Sequence, residues 1–129
     1  MKKINKTYIV DDDPIVLVIT TKVLSKHPRF DKSKTFKNGK AFLKKLKEDI
    51  KRKQPPSLTF LDLNMPVMDG WELLTELENI PEAQKIPVVI LTSSIDRKDK
   101  IKSREYLNVR AFVSKPLTSK KLNELLNSL

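Results

Sequence analysis

The feature that most constrains this chain is a short apolar run that stops on an acid. Residues 58–61 read Leu-Thr-Phe-Leu, and Asp62 follows directly. A run of this length and character is typical of a strand buried on both faces of a parallel sheet. Three other runs also stop on polar residues: 8–10 before Asp11, 88–91 before Thr92, and 111–114 before Lys115. Since parallel strands end at the same edge of a sheet, we expect these four side chains to meet there.

Helical patterns separate the apolar runs along the whole chain. We predict strands at 7–10, 33–36, 58–61, 88–91 and 111–114. We predict helices at 14–26, 39–52, 71–79, 97–107 and 119–129. Strands that alternate with helices are typical of parallel βαβ units. The sequence therefore predicts an α/β protein with a doubly wound parallel sheet.

Polar residues and glycines mark the predicted helix starts. Asp13 stands before a proline and is suited to cap the first helix. The two glycines, Gly39 and Gly70, each stand at a turn into a helix, where we expect them to supply backbone angles that other residues avoid. Trp71 begins the third helix, and we expect it to pack locally. Either of two residues can cap each of the last two helices: Ser94 or Asp96, and Thr118 or Ser119.

Length and composition limit the possible classes of protein. The 129 residues suit one domain, and 39% hydrophobic residues are enough for one core. No run approaches the roughly 20 apolar residues of a membrane span. The chain has no cysteine for a disulfide or a thiolate site. We therefore expect a single domain at 1–129 with no membrane partner and a cytoplasmic location.

The formal net charge of +10 raises the question of a nucleic-acid partner. Many lysines fall within 39–52, between apolar residues at helical spacing, which is typical of a solvated helix face. Aromatic residues for base stacking are few, and no nucleic-acid-binding motif is present. We do not expect direct nucleic-acid binding, and a charge-complementary partner stays open.

Acids that follow the first and third predicted strands define the predicted site. A carboxylate such as Asp62 at a strand end can accept a phosphoryl group as an acyl phosphate, and a turn or capping acid is the alternative. Asp11, Asp12 and Asp13 follow one another, and the capping role explains only Asp13. The remaining pair repel each other, and a hard cation with oxygen ligands, such as Mg²⁺, neutralises them.

Thr92 and Lys115 supply complementary groups. The hydroxyl of Thr92 is placed to hydrogen-bond a phosphoryl oxygen, although hydroxyls before a helix also act as caps. An ammonium at the end of a buried strand needs an anion, and for Lys115 we expect Asp62 and its phosphate. Lys115 precedes Pro116, and the cis form is open to such a bond.

These residues together resemble the receiver domain of two-component response regulators, of the chemotaxis-regulator type. The resemblance covers essentially the whole chain. It rests on the acids at 11–13, the D-x-x-M-P-x-x-D-G stretch at 62–70, Thr92-Ser93, and Lys115-Pro116. It implies a flavodoxin-like sheet of five parallel strands in the order 2-1-3-4-5, with five helices.

The resemblance also implies roles for individual residues. Asp62 would be the phosphoacceptor. Mg²⁺ would be held by Asp12, Asp62 and the backbone carbonyl of Asn64, with Asp11 acting through water.

The remaining implied roles concern the phosphoryl oxygens and the switch. Thr92 and Lys115 would contact the phosphoryl oxygens. Phe112 matches the aromatic residue that changes rotamer in this family, so Thr92 and Phe112 would be the switch residues. Core packing is the alternative for Phe112.

As a receiver, the chain would be a signalling switch with no output domain of its own. A histidine kinase or phosphotransfer protein would donate the phosphoryl group. A downstream protein would bind the surface of the fourth helix, fifth strand and fifth helix. The chain would catalyse only its own phosphorylation and slow autodephosphorylation.

A Mg²⁺-dependent phosphohydrolase of the haloacid-dehalogenase type is the alternative, because such enzymes also form an aspartyl phosphate after a strand. They usually carry a second acid two residues after the nucleophile, where this chain has Asn64. They also need a cap or a larger core to enclose the substrate. We therefore expect a switch, not a turnover enzyme.

Overall fold

Five strands and five α-helices alternate along the chain in the computed structural model, which describes residues 2–94 and 96–129. The strands are β1 (Ile4–Val10), β2 (Phe30–Phe36), β3 (Leu58–Leu61), β4 (Val88–Thr92) and β5 (Val109–Ser114). The helices are α1 (Pro14–Ser25), α2 (Gly39–Lys51), α3 (Gly70–Glu78), α4 (Arg97–Ser103) and α5 (Ser119–Ser128). A short 3₁₀ helix at Pro81–Lys85 precedes β4 and was not predicted.

All five strands pair in parallel, in the order β2-β1-β3-β4-β5. The predicted order is therefore confirmed. Val10 and Leu61, the last residues of β1 and β3, are register partners. Asp11 and Asp62 follow them, so these two acids leave adjacent strands side by side. This is the switch point of a doubly wound sheet, where ligands bind in folds of this class.

Each face of the sheet is covered by its own hydrophobic layer. On one face the buried residues of α1 and α5 pack against β1, β3 and β4. On the other face the buried residues of α2 and α3 pack against the same strands. Because both faces are covered, β3 and β4 are buried along their whole length. This explains why their sequences are continuously apolar, with no alternation of polar residues.

The ends of several elements differ from the predictions. β1 and β2 begin three residues earlier than predicted, where Ile4 pairs with Phe30. Residues 31–35 of β2 are all exposed, because β2 lies at the edge of the sheet, so they carry little of the apolar pattern of a strand. α4 ends at Ser103 and not at Leu107, which is 87% exposed.

Side-chain caps fix where the helices begin. The carboxylate of Asp13 accepts a hydrogen bond from the backbone of Ile15, as predicted. Asp96 and Thr118 are the caps of α4 and α5. Asp69 forms a reciprocal capping box with Glu72 at the start of α3. In the part of the chain that the structure describes, no helix is long and apolar enough to cross a membrane.

One buried acid fastens α2 to β1. Asp49 accepts from the ammonium of Lys6 on β1 and from that of Lys45 one turn earlier, each at 3.2 Å. Lys6 also donates to the carbonyl of Gln54 at 2.6 Å. The carboxylate is thus buried with two cations, the arrangement in which burial of a charge is tolerated.

Trp71 does not pack only within its own helix, so the expectation of local packing is wrong. Its ring stacks on Tyr106, which follows α4, with the ring centroids 6.0 Å apart and the planes 28° apart. The ammonium of Lys102 lies 4.5 Å from the centre of the Trp71 ring. These contacts join the start of α3 to the end of α4.

Candidate functional site

Asp11 lies directly after β1 and is 2% exposed. Its Oδ1 accepts a hydrogen bond from the backbone of Asp13 at 2.9 Å. Its Oδ2 lies 2.6 Å from the ammonium of Lys115. Both carboxylate oxygens therefore have partners, and the side chain is held in one orientation.

Asp62 lies directly after β3 and is 3% exposed. Its backbone donates to the carbonyl of Val10, which continues the sheet up to the acid itself. One oxygen, Oδ2, lies 3.2 Å from the ammonium of Lys115. The other, Oδ1, is buried with no hydrogen-bond partner among the described residues. An unpartnered buried carboxylate oxygen is costly, so the site is incomplete as the chain alone forms it.

Lys115 directly follows β5. It contacts residues at the ends of the other three strands of the site, β1, β3 and β4. Its backbone donates to the carbonyl of Thr92 at the end of β4, at 2.9 Å. The Lys115–Pro116 peptide bond is cis. The predicted anion of Lys115 was Asp62, but its shorter contact is with Asp11.

Burial and the shared ammonium set the charges of this site. Burial raises the pKa of Asp11, although the hydrogen bonds from Lys115 and from the backbone of Asp13 act in the opposite direction. Burial also acts to lower the pKa of Lys115, but its contacts with Asp11 and Asp62 outweigh this and raise the pKa. Lys115 therefore remains an ammonium at neutral pH.

The acids form a cluster suited to a divalent cation. One carboxylate oxygen from each of Asp11, Asp12 and Asp62 lies within 4.8 Å of the others. Asp12 is exposed, whereas the other two are buried, so the cluster opens to solvent on one side. Carboxylate oxygens are the ligands that hard cations prefer, and the unpartnered Oδ1 of Asp62 needs such a partner. The residues present therefore fit the ion that the acids predicted.

Thr92 is the last residue of β4, and Ser94 follows it by two residues. Thr92 is fully buried, and its Oγ1 accepts from the backbone of Ser94 at 3.3 Å. A hydroxyl that accepts still has its own hydrogen to donate. Ser94 donates from its hydroxyl to Asp99 of α4 at 2.6 Å, so it ties the β4–α4 loop to the helix.

Two other predicted residues make no contact that defines the acid cluster. Asn64 is exposed in the loop two residues beyond Asp62. Phe112 lies in the middle of β5, opposite Ile90, and is half-buried against the core. The structure thus brings together Asp11, Asp12, Asp62 and Lys115, with Thr92 joined to Lys115 through the backbone.

Gly70 belongs to the site for a reason that the sequence did not reveal. Neither glycine has a positive φ, so the expected need for unusual backbone angles is wrong. A Cβ at Gly70 would lie 2.5 Å from the carbonyl oxygen of Asp62 and 2.7 Å from the Cα of Leu63. The backbone of Gly70 also donates to the carbonyl of Leu63 at 2.9 Å. Only a residue without a side chain fits at position 70, because α3 begins in contact with the backbone of Asp62.

The arrangement of strands, acids and lysine is that of a known family. The family described as the response regulator receiver domain matches residues 7–127, so the chain belongs to that family. A two-component response regulator from Cytophaga hutchinsonii has a similar crystal structure, with a TM-score of 0.90 and 34% identity, covering 98% of this chain and 96% of that chain. The phosphorylated cyanobacterial phytochrome response regulator RcpA is also similar, with a TM-score of 0.79 and 26% identity, covering 98% and 91%.

A curated relative gives the same class. The response regulator Rcp1 of Synechocystis sp. is 39% identical over 74 residues, which are 57% of this chain and 50% of Rcp1. The match thus spans half the length of this curated relative. The Mn(2+)-bound form of Rcp1 has a TM-score of 0.76 and 28% identity, covering 95% of this chain and 89% of that chain. Membership of the family assigns the chain to two-component signalling and does not favour the phosphohydrolase alternative.

Proposed function

We propose that the chain is a phosphorylation-dependent switch in which Asp62 accepts a phosphoryl group from a phosphohistidine. The donor is a histidine kinase or a phosphotransfer protein. One observation carries the proposal: Lys115 bridges Asp11 and Asp62 while Oδ1 of Asp62 is buried without a partner. The crystal structure of the similar response regulator RcpA in its phosphorylated form supports the same chemistry.

The transfer is a displacement at phosphorus. A carboxylate oxygen of Asp62 forms the new O–P bond as the P–N bond of the phosphohistidine breaks. The electron pair of the P–N bond stays on the ring nitrogen, and the ring leaves as neutral imidazole because its other nitrogen carries a proton. Lys115 already lies 3.2 Å from Asp62, so its ammonium is placed to neutralise a phosphoryl oxygen. The hydroxyl of Thr92 donates a hydrogen bond to a second phosphoryl oxygen.

Mg²⁺ is the proposed cofactor, which would be held by Asp12, Asp62 and the backbone carbonyl of Asn64, with Asp11 acting through water. When bound, it supplies positive charge to the phosphoryl oxygens in the transition state. The cluster of carboxylates within 4.8 Å supports this assignment, as does the crystal structure of the similar Rcp1 in its Mn(2+)-bound form.

The proposed output is a change at the surface of α4, β5 and α5, to which a downstream protein binds. Thr92 and Phe112 are the proposed switch residues. A cavity of about 200 Å³ lies between α4 and β5, lined in part by Phe112 and Ser103. This cavity gives the Phe112 ring room to move when Thr92 is drawn toward a phosphoryl group.

Residues 1–129 are proposed to act as one receiver unit. The unit would catalyse its own phosphorylation and slow autodephosphorylation, with no other turnover. Its proposed donor is a cytoplasmic kinase, so a cytoplasmic location belongs to the same proposal.

Intact-mass measurement after incubation with acetyl phosphate tests the proposal. Wild type with MgCl₂ should gain one phosphoryl group, and wild type with EDTA should gain none. Asp62→Asn is nearly isosteric and keeps an oxygen for Lys115, so it is a matched control that should gain none in either buffer. Peptide mapping after borohydride reduction should place the modification on Asp62. Labelling that persists in Asp62→Asn would assign the phosphoryl group to another residue.

A further inference from the structure

The outer edge of β2 offers backbone groups for pairing. In the described part of the chain, β2 pairs with β1 alone. The carbonyl of Phe36 accepts from Asp11, so Phe36 directs its backbone toward β1. Backbone direction alternates along a strand of a parallel sheet, so Lys34 also points its backbone inward. Ser33 and Thr35 therefore present their N–H and C=O groups outward.

The two faces of β2 carry different side chains, with hydroxyl residues on one face and lysines on the other. Ser33 and Thr35 lie on the α1 side, where they line a groove of about 520 Å³ with Leu17, Val18 and Thr21. Val18 is 64% exposed, so part of the groove wall is apolar and open.

Lysines occupy the opposite side of β2. The ammonium of Lys34 lies 6.0 Å from the ring of Phe36, which packs on Phe42 of α2. Lys32, two residues earlier, is also exposed. Lysine therefore alternates with small hydroxyl residues along the edge strand.

Positive charge is concentrated around this edge. Residues 29–53 carry eleven lysines and arginines against three acids, a net charge of +8 out of the +10 of the whole chain. One of the three acids, Asp49, is buried and already paired with Lys6 and Lys45. The segment that contains β2 and α2 therefore carries most of the net positive charge of the chain.

We propose that the edge of β2 binds an extended acidic polypeptide segment as an added strand. Backbone pairing with Ser33 and Thr35 would give affinity, as in other cases of strand addition. Alternate side chains of the segment would be apolar, toward the α1 groove, and acidic, toward Lys32 and Lys34. The surface lies at the edge of the sheet opposite β5, so the proposal does not depend on phosphorylation of Asp62.

The observations favour this occupant over two others. A second copy of the chain would bring Lys32 and Lys34 against the same lysines, and such charges are a known protection against edge-to-edge pairing. Nucleic acid would gain from exposed aromatic rings, but Phe30, Phe36 and Phe42 of this region are buried.

Binding of an octapeptide of alternating valine and glutamate tests the proposal. Anisotropy of the labelled, end-capped peptide is measured with wild type at about 150 mM NaCl, where charges are screened beyond about 8 Å. A peptide of the same composition, with the four valines before the four glutamates, is the matched control. The alternating peptide should bind more tightly and should shift the amide resonances of Ser33 and Thr35. Absence of binding, equal binding of the two peptides, or shifts confined to other elements would overturn the proposal.

N-methylation of the peptide tests the backbone pairing in wild-type protein. One peptide is methylated at its valines and another at its glutamates. Only alternate amides of an added strand face β2, so one methylated peptide should lose binding and the other should keep it. Equal effects of the two would rule out an added strand.

Charge reversal tests the role of the lysines. Lys32→Glu with Lys34→Glu should weaken binding by about tenfold or more, since each removes a favourable charge and adds a repulsive one. Lys98→Glu with Lys120→Glu changes the net charge equally on exposed positions of α4 and α5 and should have little effect. Equal weakening in the two variants would show an effect of net charge alone.

Competition tests the nucleic-acid alternative. Duplex DNA that displaces the labelled peptide more strongly than the unlabelled alternating peptide does would assign the surface to nucleic acid instead.

Discussion

At the residue scale, two buried carboxylates share one ammonium. Lys115 contacts Asp11 and Asp62, and Asp12 adds a third carboxylate to the same small volume. Negative charge therefore exceeds positive charge in the absence of a cation. This excess is useful for binding a cation, but it destabilises the fold when none is bound.

Asp11→Asn should raise the melting temperature of the metal-free protein at pH 7.5 by a few degrees. The folded-state pKa of Asp11 is raised by burial above the ordinary value of 3.8, so the folded state binds this proton more tightly than the unfolded state does. Stability from this group therefore falls as pH rises from about 3.8 through the raised pKa, and the loss is complete above it. Asparagine removes the buried charge and keeps one oxygen, which can accept from the backbone of Asp13 while Lys115 stays paired with Asp62.

Melting curves in EDTA between pH 4 and pH 8 measure the difference between Asp11→Asn and wild type. The gain of the variant should shrink as pH falls, because the wild-type carboxyl becomes protonated. A gain that stays constant with pH would show that the charge of Asp11 is not its cause.

Gly70→Ala should destabilise the protein by about 2 kcal/mol, because its Cβ would overlap the backbone of Asp62 and Leu63. It should also slow phosphorylation by acetyl phosphate, since Asp62 must shift. Gly39→Ala is the matched control. Its Cβ would meet only the flexible side chain of Met68, at 3.1 Å, so its effect should be small. Urea unfolding of the two variants checks the difference, and equal stabilities would contradict it.

At the element scale, the start of α3 links the candidate site to α4. Gly70 contacts the backbone of Asp62, and the next residue, Trp71, stacks on Tyr106 beyond α4. Lys102 of α4 lies over the same indole ring. α4 itself has seven residues, so much of what fixes its position comes from contacts with its neighbours.

Tyr106→Leu should loosen α4 and cost about 1 kcal/mol of stability, because it removes the stacked ring from Trp71. Tyr106→Phe keeps the ring and should resemble wild type. Hydrogen exchange of the α4 amides and Trp71 emission report the two expected changes. Unchanged exchange in Tyr106→Leu would mean that α4 is held by other contacts.

At the scale of the whole molecule, the candidate cation site exists only when three strand ends are assembled. Asp11, Asp62 and Lys115 come from positions far apart in the chain. A ligand that binds only the folded state stabilises it by mass action. Binding of Mg²⁺ should therefore be visible as a change in global stability.

MgCl₂ at tenfold its dissociation constant should stabilise wild type by about 1.4 kcal/mol. Asp12→Ala should lose most of this gain, since an exposed ligand is removed while the buried Asp11–Lys115–Asp62 contacts stay. Thermal melting with increasing MgCl₂ gives the gain, and NaCl at equal ionic strength is the control. An equal gain in Asp12→Ala would remove Asp12 from the candidate site.

Negative and positive charge are concentrated in different parts of the molecule. The acids converge at the carboxyl ends of the strands, whereas most of the net positive charge lies in residues 29–53, which include the outer strand β2 and α2. The lysines of α2 form the predicted solvated face of the helix, since the buried side consists mainly of apolar residues. The lysines of β2 and α2 also form part of the proposed peptide-binding surface, which is distinct from the acid cluster.

Local patterns in the sequence were sufficient for the order of elements and for the convergence of the acids. A buried strand is recognisable as an apolar run, and β3 has the predicted bounds, Leu58–Leu61. A parallel sheet then places the residues after its strands at one edge, whatever the details of packing. For this reason the pattern of strands alone predicts that Asp11, Asp62 and Lys115 lie together. Caps such as Asp13 are equally local, since they bond within two or three residues.

The tertiary structure decided which of the converging groups touch. Lys115 lies closer to Asp11 than to Asp62, Gly70 is required by the backbone of Asp62, and Trp71 stacks on Tyr106. Each of these contacts joins elements that are distant in the sequence. Their distances depend on how the helices pack and how the strands twist, and neither periodicity nor spacing in the sequence records those quantities. The sequence thus determined the edge at which the site forms, and packing determined its contacts.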